Sequence, residues 1–204
     1  MTRRTPQEVR ELLLGAARST FAARGYARSS TREIADAAGV SEALLFRHFG
    51  SKANLFELAV LDPFHGFMEA YVDSRPDITD GPPPPEAPSR DFIESLYAIL
   101  TANRELVMAL LAARAYEVDL TATPELSDAL DRLEVMAETE LAQRGMTDVD
   151  VPVTIRVTFA MVVALAVFQD WLFPPERRPT RQQFIDEMVQ FMVHGLARDD
   201  AVHA

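Results

Sequence analysis

With 204 residues, 48% of them hydrophobic and 25% charged, the chain can bury a sizeable core and has the composition of a folded protein rather than a disordered one. Cysteine is absent, which excludes disulfides, thiolate metal sites and cysteine nucleophiles. The net charge of −11 argues against a surface that binds nucleic acid all over, but that charge is unevenly spread. Residues 1–60 hold nine Lys or Arg against six Asp or Glu, a net of +3; the remainder holds eleven against twenty-five, a net of −14. A mildly basic head on a strongly acidic body confines any nucleic-acid contact to the head.

The apolar residues after Arg3-Arg4 are periodic and broken by charges, unlike a signal peptide. The longest apolar run, Val157 to Phe168, has about half the length needed to cross a bilayer. A cytoplasmic location with no membrane partner is expected.

In chain order, Thr5-Pro6-Gln7-Glu8 has the pattern of a capping box with proline at the first helical position. Val9, Leu12, Leu13, Ala16, Ala17 and Phe21 follow on one helical face, and Gly25 should end the helix. Ser30-Thr31-Arg32-Glu33 offers a second capping box and a short helix to Ala38. Gly39 breaks it, and Ser41 can cap the next helix, Glu42 to Phe49. A fourth helix starts near Lys52 and is interrupted at Pro63, and the proline-rich residues 73–89 read as a surface loop. Further helices are predicted at about 90–118 (broken near Asn103), 124–144, 149–172 and 181–197. No segment alternates as a strand does, so the fold class is all-α.

Residues Ser29 to Phe49 have helix-turn-helix spacing. Ile34 and Ala35 point inward, small Ala35 permits a close crossing, Gly39 allows a positive φ at the turn, and Val40 and Leu45 fix the crossing. Any one of these residues alone would suit an ordinary helical hairpin. The set in register, flanked by two caps, points to a DNA-binding unit.

These residues, Phe21-x-x-x-Gly25-Tyr26, Ile34-Ala35-Asp36-Ala37-Ala38-Gly39-Val40-Ser41 and Phe46-Arg47-His48-Phe49-Gly50-Ser51-Lys52, resemble the N-terminal signature of the TetR repressors over about residues 9–60. The resemblance implies a recognition helix starting near Ser41, with Glu42, Ala43, Leu44 and Arg47 at base edges. Arg47 can pair bidentately with guanine, Glu42 can accept from cytosine, and Ala43 or Leu44 can touch thymine methyls. The implied phosphate contacts are Ser29 or Ser30, Ser41, His48 and Lys52, several of them near helix starts where free N–H groups favour an anion. Lys52 is the only lysine, the other nineteen cationic residues being Arg, which suggests a need for a compact, rotatable ammonium there. The sequence departs from the common pattern at Phe46, where a Tyr hydroxyl is usual, and at Ala43 and Leu44, where Gly and Thr or Ser are frequent.

In the body, Val153 to Phe173 is apolar around much of its circumference, and Phe184, Ile185, Met188, Phe191 and Met192 recur at helical spacing. Both stretches could be core helices of a monomer. The resemblance implies instead a four-helix dimer interface, on which we place Val157, Ala160, Ala164, Phe168, Phe184, Met188 and Phe191. It also implies an apolar effector cavity; Phe67, Tyr71, Tyr97, Met108 and Phe159 are its candidate walls, with Arg114 and Gln169 as polar anchors. Each of these is also an ordinary core residue in isolation.

No catalytic or metal constellation is read, because His48, His65, His194 and His203 lack paired ligand spacing, and no cofactor is expected. The expectation is a non-enzymatic, ligand-responsive homodimeric regulator, a repressor binding a palindromic double-stranded DNA operator and a small apolar effector. Its helix-turn-helix domain would span residues 1–55 and its ligand-binding and dimerisation domain residues 56–204. The alternative is a helical small-molecule-binding or enzymatic protein whose head no longer reads DNA.

Overall fold

A computed structural model describes residues 4–73, 86–116, 124–146 and 148–196. Among them there are nine α-helices and no strand: α1 (Pro6–Arg28), α2 (Thr31–Ala38), α3 (Glu42–Phe49), α4 (Lys52–Asp73), α5 (Glu86–Ala102), α6 (Arg104–Tyr116), α7 (Pro124–Gln143), α8 (Val151–Leu172) and α9 (Arg181–Leu196). A single 3-10 turn, Pro175–Arg177, follows α8. The fold is all-α, as the periodicity predicts.

Local chemistry sets the ends of the first helices. The Thr5 hydroxyl accepts the Glu8 N–H at 3.2 Å and the Glu8 carboxylate accepts the Thr5 N–H at 2.6 Å, a complete capping box. Ser30 and Glu33 repeat it at α2, at 3.1 and 3.2 Å. Gly39 closes α2 at φ 65°, ψ 39°, a left-handed conformation in which a side chain would be strained. Ser41 then accepts the Leu44 N–H at 3.3 Å and starts α3.

Gly25, at φ 72° and ψ 173°, leaves the helical conformation and interrupts α1 where the sequence predicts its end, and a further turn then runs to Arg28. Two other boundaries differ from expectation. Pro63 lies inside α4, which continues past it although the proline contributes no N–H to the helix. Helix α5 begins at Glu86, so residues 86–89 of the expected loop are its first turn, where Pro88 needs no helical N–H partner. The rest of that loop, residues 74–85, lies outside the described residues, as do His203 and the His194 side chain.

The described residues form two compact units, with a division between Gly66 and Phe67 and with α6 in the first unit. The first has a core in which Leu13, Ala17, Phe21, Ile34, Leu45, Leu55 and Phe56 are fully buried. Phe21 and Phe56 meet edge to face at 4.7 Å. Leu106 and Ala113 of α6 join this core, which is why a helix so late in the sequence belongs with the head. Met108 and Arg114 are therefore part of the first unit, and Arg114 is paired with Glu57 of α4 at 3.4 Å.

In the second unit, α5 packs against α8 and α9 around Ile93, Leu96, Leu100, Val162, Val167, Ile185 and Val189. Arg90 of α5 reaches Asp186 of α9 at 2.7 Å, and this bond holds the Asp186 carboxyl below its ordinary pKa. Phe184 and Met188, expected at a dimer interface, are 5% and 2% exposed within this core and are not available to a partner. Helix α8 has 22 residues and is long and apolar enough to cross a membrane, contrary to the estimate from its longest uninterrupted run. Its Arg156 is nonetheless paired with Asp131 at 3.1 Å and with Glu134, both on α7.

Candidate functional site

In the first unit, α3 buries Leu45 and Phe49 and turns Ala43, Phe46, Arg47 and the Gly50 cap outward, positions i, i+3, i+4 and i+7 of one helical face. Leu44 is half-buried against the core, so the outward hydrophobe is Phe46, 43% exposed, rather than Leu44. Arg47 and Arg32 form no ion pair among the described residues, whereas Arg24 and Arg18 are bound to Glu33 and Asp62 at 2.7 and 2.6 Å. Glu42 is half-buried and its carboxylate accepts the Thr31 hydroxyl at 2.5 Å, which ties the start of α3 to the start of α2.

Of the two serines before α2, Ser29 is 4% exposed and its hydroxyl donates to the Gly25 carbonyl at 2.7 Å, closing the α1 kink. That hydroxyl is turned away from solvent, and the exposed one is that of Ser30. Ser30 and Ser41 both accept at helix starts, and the Ser41 hydroxyl keeps a proton to donate outward. His48 is half-buried with its ring beside Phe49.

Lys52 is the first residue of α4, and its ammonium lies 4.3 Å from the centroid of the Tyr26 ring. Tyr26 in turn contacts Phe56 at 5.0 Å and stacks on Phe21 at 6.2 Å, so the lysine rests on an aromatic platform rooted in the core. Arg4 donates to the Gly39 carbonyl at 3.3 Å, at the turn between α2 and α3. In the sequence Tyr26 stands out only as part of a motif, and Thr31 and Arg4 carry no signal of a role. Their partners are 11 to 35 residues away along the chain, or meet through a ring face that no local pattern reveals. The arrangement offers an exposed cationic helix face with three helix N-termini near it in sequence, the donor set a phosphate backbone requires.

In the second unit, a cavity of about 90 Å³ is walled by Tyr71, Phe92, Leu133, Met136, Val151 and Ile155, among others. Glu140 and Arg144, bonded at 2.6 Å, also line it. Of the seven residues expected around an effector, Tyr71 alone is on this wall. Phe67 sits behind it, in ring contact with Tyr71 and Phe92 at 5.9 and 6.0 Å. Tyr97 is buried, which raises its pKa, and its hydroxyl donates to Gln169 at 3.3 Å, so the expected anchor already has a partner. Phe159 is half-buried on α8, and Met108 and Arg114 belong to the other unit.

Helix α8 presents Val153, Val157, Ala160, Ala164, Phe168 and Trp171 at steps of three and four residues. Val153 and Val157 are 54% exposed and Trp171 80%, and Ala160 is exposed; Ala164 and Phe168 are half-buried. Phe168 and Trp171 stack at 5.4 Å, and Phe191 of α9 is 67% exposed.

Residues 13–59 match the model of the family described as bacterial regulatory proteins, tetR family. Over 138 residues, 68% of this chain and 65% of the relative, the chain is 33% identical to the HTH-type transcriptional repressor Rv3405c of Mycobacterium tuberculosis. Over 54 residues, 26% of this chain and 24% of the relative, it is 52% identical to the HTH-type transcriptional activator FasR of Mycolicibacterium smegmatis. The chain thus spans from about a quarter to about two thirds of the length of the curated relatives it matches. A TetR-like transcriptional regulator from Rhodococcus sp. RHA1 shares the fold over 98% of this chain and 100% of its own, with a TM-score of 0.63 at 20% identity. Residues 13–59 thus carry the N-terminal region of the tetR family of bacterial regulatory proteins, and the chain as a whole shares the fold of a TetR-like regulator.

Proposed function

We propose that the chain is a cytoplasmic, ligand-responsive transcriptional repressor that binds a palindromic operator as a homodimer. The observation that carries this reading is the outward face of α3, where Arg47, which forms no ion pair among the described residues, stands beside Ala43 and Phe46. Such a face fits the major groove, with Arg47 on a guanine and the two apolar residues against thymine methyls. Ser30, Ser41, His48 and Lys52 contact phosphates, and Glu42, held by Thr31, sits at the groove edge. One eight-residue helix reads too few base pairs to be selective, so a second copy is needed.

The exposed apolar face of α8, with Phe191 of α9, supplies the surface for that copy. An effector bound in the second unit shifts the dimer toward a state whose two recognition helices no longer match half-sites one DNA turn apart. Repression is taken over activation because Rv3405c, the relative reported above with the longer match, is named a repressor; FasR, matched only through the head, is named an activator. The test is a footprint on the DNA flanking the chain's own gene. Two protected half-sites with a common centre support the reading, and absence of protection at protein concentrations that coat random DNA would contradict it.

A further inference from the structure

Glu42 is the first residue of α3, and Oε1 of its carboxylate accepts the Thr31 hydroxyl at 2.5 Å. That length suits a charge-assisted bond between a hydroxyl and a carboxylate, about 2.5–2.7 Å. Thr31 opens the inward face of α2, with buried Ile34, Ala35 and Ala38 following at i+3, i+4 and i+7. Its branched Cβ restricts its rotamers, so the hydroxyl is a fixed point on the head. We propose that Thr31 is a positioning residue for DNA reading, which aims the second oxygen of Glu42 at a cytosine amine. This role rests on the reading of α3 as the recognition helix.

The charge on Glu42 sets it apart from its neighbours. Glu33, Glu57 and Asp62 of the same unit are paired with arginine, at 2.7, 3.4 and 2.6 Å. Glu42 forms no ion pair among the described residues, and Oε2 accepts no bond among them. A hydroxyl holds its carboxylate without neutralising it. Ser30, next to Thr31, and Ser41, next to Glu42, are the proposed phosphate contacts, so this carboxylate repels DNA of any sequence. A group that weakens binding everywhere and is compensated at one base is a source of specificity.

Base chemistry selects that base. In the major groove cytosine presents the N4–H donor, adenine sets its N6–H donor beside the N7 acceptor, and guanine and thymine present acceptors. A carboxylate only accepts, so cytosine suits it best. Ordering a glutamate side chain on binding costs entropy, and the Thr31 bond orders it beforehand.

Selection from a random duplex library by the full-length protein, followed by anisotropy titration of the selected duplex with each base pair in turn at every symmetric position, tests this. Wild type should prefer a G·C pair by about tenfold or more at one symmetric position where Arg47→Ala leaves the preference in place. Thr31→Val and Thr31→Ala both lack the hydroxyl and should lower that preference below about threefold while sparing the other positions, and Thr31→Ser should keep it. Either hydroxyl-free variant decides if the other fails to fold. Glu42→Gln, which can donate and accept, should move the preference to an A·T pair and bind random DNA more tightly than wild type.

The assignment is overturned if Thr31→Val or Thr31→Ala keeps the preference, or weakens every duplex alike as a purely structural tie would. Glu42→Gln that keeps the G·C preference, or binds random DNA no more tightly, overturns it as well. Wild type that selects a two-fold site without such a position loses only this inference, and wild type that selects no sequence loses the regulator with it.

Discussion

The single lysine of the chain holds its ammonium 4.3 Å above the ring of Tyr26, a residue 26 positions earlier that is itself packed on Phe21 and Phe56. A cation over an aromatic face gains of the order of 0.5–1 kcal/mol at an exposed site. The larger consequence is positional, because a long flexible side chain is held in place at the N-terminus of α4, where an anion is also favoured by the helix.

If that ammonium meets a phosphate, Lys52→Ala should weaken binding about equally on specific and random DNA. It should also lower the slope of log K against log salt by about 1. Tyr26→Phe keeps the ring and should leave the slope unchanged, while Tyr26→Leu should weaken binding without removing the charge. Fluorescence anisotropy at four salt concentrations measures all three. An unchanged slope for Lys52→Ala would remove the phosphate contact.

The capping box at α2 predicts a pH dependence. Hydrogen bonds from the Ser30 backbone and hydroxyl, and then the charge of Arg24, hold the Glu33 carboxyl below its ordinary pKa. A lowered folded-state pKa means the stabilisation is present above the ordinary carboxylate range and is lost as pH falls through the lowered value. Urea denaturation of wild type and Glu33→Gln should therefore differ at neutral pH and converge in acid. Ser30→Ala should cost about 0.5–2 kcal/mol at neutral pH, the usual range for a lost N-cap. A stability gap between wild type and Glu33→Gln that widens in acid would contradict the assignment.

Two residues separate the interior of the second unit from the surface offered to a second copy. Met188 is 2% exposed, so Met188→Ala should destabilise the fold by about 2–5 kcal/mol. Val157 is 54% exposed, so Val157→Arg should leave helical circular dichroism intact while the protein sediments as a monomer. A dimeric Val157→Arg protein would move the interface off this face of α8.

These contrasts mark what the sequence can tell. The capping boxes Thr5–Glu8 and Ser30–Glu33, the turn at Gly39 and the Ser41 cap are decided within four residues, and all were readable in advance. The inward positions Ile34, Ala35 and Leu45 followed from the same local register. Beyond the head, one helical stripe looks the same whether it meets its own chain or a partner. Phe184, Met188 and Phe191 share a helix, yet the first two are core and the third is exposed. The return of α6 to α1 is a long-range pairing that no periodicity encodes, and the Arg114–Glu57 pair is equally invisible in the local pattern. Glu140 and Arg144 stand at ion-pairing spacing, but only folding shows that they are half-buried beside a cavity.

The central claim is that the outward face of α3 reads DNA, and Arg47 is its most exposed commitment. Anisotropy titrations of wild type and Arg47→Ala against the chain's own flanking DNA, single-base variants of it and random DNA test this directly. The account predicts a loss of about 1–3 kcal/mol on the native site, with preference relaxed at one symmetric base position and random DNA bound nearly as before. Arg47→Ala protein that matches wild type on every sequence would contradict it.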